Sequence, residues 1–189
     1  MIKDLVYKSR SYRRFYQDVL ISPEILKEWV DLARMSPSGR NAQPLKYMLS
    51  YDPKRNAQVF STLAWAGYLK DWGGPVEGER PSAYIIMLGD KEISLTFGCD
   101  HGIAAQSILL GAVEQGFGGV MIGSIQREKL AQLLGLPERY EILLVIALGK
   151  PLEEVVVEPV GVFGDIKYWR DTNGVHHVPK RTLDEVIVE

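Results

Sequence analysis

Two stretches of the chain carry side chains suited to gripping an anion and a flat polar ring. In Ser9-Arg10-Ser11-Tyr12-Arg13-Arg14-Phe15, three arginines and two serines fall within seven residues. Guanidinium and hydroxyl groups make directed, charge-assisted bonds to phosphate oxygens, so the segment reads as an anion site or as a solvated charged turn. The second stretch is Ser36-Pro37-Ser38-Gly39-Arg40-Asn41-Ala42-Gln43-Pro44. Its prolines bias Ser36 and Gln43 toward extended backbone, and Gly39 admits a positive φ or a close backbone approach. Ser38, Asn41 and Gln43 supply donors and acceptors of the kind that read a heterocycle, although an ordinary helix-to-strand loop has the same composition. Near the other end, Lys180 and Arg181 form a second basic spot. If the tail brought them beside Arg10 and Arg13, four like charges would converge and repel one another unless an anion lay between them.

Other chemistries fail on spacing. Gly116, Gly118, Gly119 and Gly123 follow a helix and precede or end a strand, the reverse of the order a dinucleotide fingerprint requires. Gly123-Ser124 at a strand end offers backbone N–H groups to a ring atom, or simply makes a tight turn. His176 and His177 are adjacent and point to opposite faces of a strand, so one metal ion does not readily take both. Cys99 and His101 lack further ligands at zinc spacing. Glu153-Glu154 reads as a solvated face. No side chain is assigned a catalytic acid, base or nucleophile role, so any reaction belongs to a cofactor.

These residues need elements to hold them. Ile2, Leu5 and Val6 suggest a short amphipathic helix. Ser22-Pro23-Glu24 is a helix start by cap, proline position and dipole, with Ile25, Trp29, Leu32 and Ala33 along one face. Leu45, Tyr47, Leu49 and Tyr51 alternate with Lys46, Met48 and Ser50 as in a half-buried strand. Asp52-Pro53 starts a third helix carrying Val59, Phe60 and Leu63 inward. Trp65, Tyr68 and Trp72, before Gly73-Gly74-Pro75, suggest a flap over a flat ligand or rings closing the core under a loop.

Residues 84–88 read as a buried strand and 98–116 as a helix apolar nearly all round, hence a core element or a subunit interface. A strand over 120–122, a helix over 126–134 closed by Gly135, and a strand over 141–148 follow. Tyr168 to Asp171 and Val175 to Val178 form a hairpin through Asn173-Gly174. The order of elements predicts an α+β fold around one mixed central sheet. The tail from Pro151 has little periodicity yet carries Val155, Val156, Val157, Val160, Val162 and Phe163. The expectation is therefore one domain over 1–189, with 151–189 an extension that wraps a partner subunit.

The chain has 189 residues, 46% of them hydrophobic, and a formal net charge of -2. That balance argues against a general nucleic-acid binder. A single cysteine fits a reducing compartment, residues 1–7 lack the apolar core of a signal peptide, and no apolar run is long enough to span a bilayer. The expectation is a cytoplasmic protein bound to neither nucleic acid nor membrane.

Taken in order, Ser-Arg-Ser-Tyr-Arg-Arg-Phe, Pro-Ser-Gly-Arg-Asn-Ala-Gln-Pro, Met-Ile-Gly-Ser, Leu-Leu-Gly-Leu-Pro-Glu, Ala-Leu-Gly-Lys-Pro and the closing Lys-Arg-Thr-Leu-Asp-Glu-Val resemble the FMN-dependent nitroreductase family. The resemblance implies a three-layer sandwich, an intertwined homodimer, and FMN held in each interface. It implies that NADH or NADPH reduces the flavin, which then reduces a nitroaromatic, a quinone or a similar acceptor. By the same resemblance Arg10, Ser11 and Arg13, joined by Lys180 and Arg181, hold the FMN phosphate and ribityl chain. Pro37, Ser38, Gly39 and Asn41 come from the other subunit and line the flavin, while Ile122 and Gly123 stack against its ring. Trp65, Tyr68 and Trp72 face the substrate. Ser9 stands where the family often has another arginine, and Leu45 where it often has tryptophan. A flavin store or sensor without turnover, or a reductive dehalogenase on the same fold, are the alternatives.

Overall fold

A computed structural model of the chain describes residues 1–188. Its 12-residue strand Tyr140–Pro151 is paired along both edges, and the rest of the fold is arranged around it. In chain order the elements are α1 (Ile2–Lys8), β1 (Phe15–Tyr16), α2 (Pro23–Arg34), β2 (Leu45–Ser50), α3 (Pro53–Phe60), β3 (Ala83–Asp90), α4 (Asp100–Glu114), β4 (Gly118–Ile122), α5 (Arg127–Leu134) and β5 (Tyr140–Pro151). The tail adds β6 (Val155–Pro159), β7 (Trp169–Arg170), β8 (His176–Lys180) and α6 (Leu183–Val186).

The central sheet runs β4-β5-β3-β2, with β1 extending the β3 side of β5 at Lys150 and Pro151. Every strand pair in it is antiparallel, which corrects the expected mixed sheet. The reason is topological. Strands β3 and β4, joined through α4, both oppose β5 and so run the same way, but β5 inserts between them. Parallel pairing is left to an isolated bridge between Ser11 and Gly119 and to β6–β8 in the tail.

Alternation along the strands divides the core in two. Ala83, Ile85, Met87, Ile146 and Leu148 face α2 and α4, meeting Leu26, Trp29, Ala33, Ala104, Ala105, Ile108 and Ala112. Tyr84, Ile86, Leu88, Val145, Ala147, Val120 and Ile122 face α3 and α5, meeting Val59 and Leu130. An extra residue at Leu143, where the register shifts between Met87 and Leu88, turns Ile142 to the second face although Leu144 serves the first.

Helix α2 starts as its sequence predicts, with Ser22 Oγ accepting from the Ile25 N–H and Pro23 in the first turn. Its buried stripe is Leu26, Trp29 and Ala33; Leu32, expected inside, is exposed. Helix α4 can come close to it because Gly111 has no side chain. A Cβ there would stand 2.5 Å from Leu32 Cδ1 and 3.1 Å from Trp29 Cδ1.

The tail hairpin forms where expected, pairing Trp169 with His177 and Arg170 with His176, with Gly174 at φ 83° in the turn. Parallel pairing of β6 with β8 completes a small three-stranded sheet. This sheet docks on its own chain: the Leu152 N–H donates to Arg14 O, and the side chains of Glu153 and Arg170 lie beside Arg13 and Arg14. Val162, Phe163 and Val188, at 96%, 98% and 95% exposure, are the most exposed apolar residues of the tail. Residue 189, the last of the expected extension, lies outside the described residues.

Gly119 lies in β4 opposite Leu148 of β5, with no room for a side chain. A Cβ there would meet Ala147 O at 2.5 Å and the Leu109 and Leu148 methyls at 2.9 Å. Gly119→Ala is expected to lower stability by about 1–3 kcal/mol through overpacking. Urea unfolding of the variant beside the parent chain measures the loss.

Candidate functional site

Between Phe15 and the end of α1, the arginine segment is extended and anchored at both ends. The Tyr12 N–H donates to Gly119 O at 3.1 Å, beside the bridge from Ser11, while the N–H groups of Arg13 and Arg14 both donate to Glu153 Oε1. Glu153 is 7% exposed and its other oxygen accepts from Arg170 Nη2 at 2.8 Å. The expectation of a solvated Glu153 is thereby overturned; Glu154, its neighbour, is exposed. A carboxylate can be kept this deep because two backbone donors and a guanidinium replace its water.

With Glu153 occupied in this way, the Arg13 guanidinium turns elsewhere. Nη1 donates to Ser11 O at 3.1 Å and lies 3.0 Å from His176 Nε2, and Cζ stands 4.6 Å from the centre of the Tyr168 ring. No carboxylate oxygen lies within salt-bridge distance of that guanidinium among the described residues. Burial is the main influence lowering its pKa, opposed by Tyr168 and Glu153. A guanidinium only donates, so His176 Nε2 must accept and the proton sits on Nδ1. His176 itself is fully buried. Burial first, then the positive charges of Arg13, Arg170 and His177, hold its imidazole neutral down to about 4.

Arg13 opens into a cleft of about 220 Å³ walled by Trp65, Gly67, Ile122, Gly123, Ser124 and Tyr168. A Cβ on Gly123 would meet nothing within 4 Å, so the backbone there borders open space. Trp65 is fixed by Phe60, 5.6 Å away, and its indole N–H is buried without a partner. The cleft thus offers a cation without a counter-anion, an unused N–H and bare backbone. That donor set fits a phosphorylated flat ring such as FMN.

Of the residues expected at the site, Arg13, Trp65, Ile122 and Gly123 meet here. Ser11 lies beside them on Gly119, and Arg10 turns back to donate to Val6 O at 2.7 Å, its Nε buried and unpartnered. Tyr68 and Trp72 are engaged by the tail instead. The Tyr68 ring is 4.9 Å from Tyr168, and Arg170 lies 4.7 Å over Trp72. Lys180 and Arg181 do not join Arg10 and Arg13. Lys180 ends β8, about 13 Å along the strand from His176, and Arg181 follows it and stands 3.5 Å from Glu185.

The proline-bounded loop lies elsewhere in the chain. Pro37 and Ser38 line a second cleft, of about 420 Å³, with Gln43, Lys46, Tyr47 and Asp100. Asp100, buried at the start of α4, accepts from Ser38 Oγ at 2.6 Å and from the Gly39 N–H at 3.0 Å. The positive φ values fall on Arg40, Asn41 and Gln43, at 53°, 54° and 52°, and not on Gly39. Asn41 is exposed. This cleft borders β2 and the first borders β4, at opposite edges of the sheet and roughly 14 Å apart across three strand spacings.

Sequence reading missed Tyr168, His176, Arg170, Glu153 and Asp100. For His176 the signal was strand alternation, and for Asp100 an acidic residue at a helix start. Glu153 and Arg170 had none.

The arginine segment, the β4 end and the loop carry the features of a known family, whose model, Nitroreductase family, matches residues 6–150. The chain belongs to the nitroreductase family. A candidate NADH dehydrogenase/NAD(P)H nitroreductase of Archaeoglobus fulgidus is 28% identical over 158 residues, covering 79% of this chain and 85% of that protein. A nitroreductase family protein of Streptococcus pneumoniae matches in structure with TM-score 0.72 at 17% identity, covering 100% of both chains. An FMN-dependent nitroreductase of Clostridium difficile matches with TM-score 0.66 at 23% identity, covering 82% of this chain and 89% of that one. Among the described residues no helix is long and apolar enough to cross a membrane, and no cluster of His, Cys, Asp or Glu is placed to hold a metal.

The neutral His176 predicts that the stability of this chain depends on pH. Its pKa is about 4 when folded against an ordinary 6.5, so between these values the unfolded chain binds the extra proton. Stability is expected to fall as pH drops through that window. His176→Gln, which keeps an acceptor for Arg13, is expected to flatten the fall, as read from thermal midpoints between pH 7 and 4.5.

Proposed function

We propose that this nitroreductase-family chain is an FMN-dependent oxidoreductase taking hydride from NADH or NADPH and delivering it to a nitroaromatic, a quinone or a similar acceptor. The observation that carries this reading is the half-buried Arg13 guanidinium, which lacks a carboxylate partner and opens into a cleft walled by the bare backbone of Gly123. The bound flavin supplies the hydride chemistry. The chain supplies position: Arg13 with Ser11 holds the phosphate, Ile122 and Gly123 give the ring a flat wall, and Trp65 and Tyr168 limit water on the open side. Arg10, with its unused Nε, is the second cation at hand.

The working unit is a homodimer in this proposal. A cleft of about 220 Å³ is smaller than the roughly 300–1,000 Å³ that encloses a ligand of this size. Pro37, Ser38, Gly39 and Asn41 sit at the far edge of their own sheet, so a second copy brings them to the ring. The exposed Ile2, Val6, Tyr7 and Met35, with Val162 and Phe163 of the tail, give that copy apolar surface to cover. Lys180 and Arg181 reach a phosphate only through the same arrangement.

The purified protein is expected to be yellow and to elute as a dimer. Mixed without oxygen with NADH or NADPH it should lose its flavin absorbance, then regain it on adding a quinone or nitroarene. A flavin that neither nicotinamide bleaches would make the protein a store or sensor. Arg13→Ala is expected to weaken FMN binding about tenfold or more with circular dichroism unchanged; an unaltered dissociation constant would remove Arg13 from the site.

A further inference from the structure

A third cavity, sharing no wall residue with the Arg13 cleft or the Ser38 cleft, lies where the flap rejoins the sheet. Its walls include Gln17, Leu20, Pro53, Asn56, Phe60, Arg80, Pro81, Ser82 and Tyr84, and its volume is about 80 Å³. Arg80 follows Glu79 in the bend before β3, and their side chains take different partners. Glu79 takes Arg14 through both oxygens, at 2.8 and 2.5 Å, whereas Arg80 lies over Phe60 with Cζ 4.4 Å from the ring centre. No carboxylate oxygen among the described residues lies within salt-bridge distance of Arg80, and its Nε is buried without a partner. Ser82, 4% exposed, has an Oγ that is likewise buried and unpartnered.

Three carbonyl oxygens around this cavity already receive hydrogen bonds. Gln17 Oε1 takes the N–H groups of Gly78 and Arg80, Asn56 Oδ1 takes Ser50 Oγ, and Ser82 O takes Asn56 Nδ2. What is left unused is a set of donors: the Arg80 guanidinium, the Ser82 hydroxyl and the Gln17 amide. Burial drives the Tyr84 phenol pKa upward, against the nearby charge of Arg80, so its hydroxyl keeps its proton as a further donor. Donors around one cation, with no acidic residue to share it, select an anion.

We propose that this cavity is a binding site for a small organic carboxylate. A single guanidinium matches a single carboxylate charge in planar, two-pronged geometry. Leu20, Pro53, Phe60 and Pro81 give apolar walls to the carbon skeleton, a surface a bare inorganic phosphate leaves unused. The volume admits a carboxylate and a short chain, and the exposed Leu20 and Tyr51 leave the outer end open for a larger body. Arg80 and Ser82 read this ligand; neither touches the proposed flavin cleft.

Calorimetric titration of the whole flavin-loaded protein with acetate, benzoate and inorganic phosphate tests the assignment. Saturable one-to-one binding of benzoate, tighter than phosphate, is expected. Arg80→Gln should weaken it about tenfold or more, and Ser82→Ala about twofold to tenfold, with flavin content and circular dichroism unchanged. Should Arg80→Gln fail to fold, Ser82→Ala together with the parent titration still decides. Phosphate binding tighter than benzoate, heat of dilution alone for every anion, or benzoate affinity unmoved in the variants that fold would each overturn the proposal.

Discussion

One buried carboxylate joins the two ends of this chain. Glu153 takes the backbone N–H groups of Arg13 and Arg14 on one oxygen and the Arg170 guanidinium on the other. It thereby fixes the segment that carries the cations and the hairpin that covers them. Because its oxygens are spent on backbone and Arg170, it leaves the Arg13 guanidinium without a carboxylate of its own, facing the neutral His176, the Tyr168 ring and the like charge of Arg170. Removal of such a carboxylate exposes buried donors and a buried cation at once, the costly way to break an internal pair.

The second constraint is the position of β5. Inserted between β3 and β4, it makes the sheet antiparallel throughout and sets β4 and β2 at opposite edges. The cleft of Arg13 and Gly123 belongs to one edge, the Ser38–Asp100 cleft to the other. A single chain cannot fold both around one ring, since about 14 Å of covered sheet lies between them. A symmetric pair can, because each copy offers both edges. At the root of the β2 cleft's loop Asp100 holds Ser38 and Gly39, while the positive φ values lie at the tip, on Arg40, Asn41 and Gln43.

Much of this was legible in the residues. Ser22-Pro23, Asp52-Pro53 and Gly135 announced helix ends by local chemistry, and each cap formed as written. The tail hairpin follows from Asn173-Gly174, and Arg13, Ile122 and Gly123, legible as site residues in the sequence, line one cleft. What failed had one cause. Helical spacing places Leu32 inside, and its Cδ1 does lie against α4 at Gly111, yet it sits at the rim of that crossing and stays 45% exposed while Leu26, Trp29 and Ala33 are covered. Glu153 was read as solvated because its partners, Arg13, Arg14 and Arg170, are distant in sequence or set on another strand.

The sequence by itself determined where elements start and stop, which faces of the strands are apolar, and which segments could grip a phosphate. Those properties rest on neighbours within a few residues: caps, φ limits and alternation. Only the tertiary structure decided that the central sheet has no parallel neighbours, that Tyr168 and His176 close over Arg13, and that Lys180 and Arg181 stand apart from Arg10 and Arg13 within one chain. Those outcomes depend on strand order and on which charges are satisfied first. Both are set by contacts between residues far apart in the chain, and no local pattern encodes them.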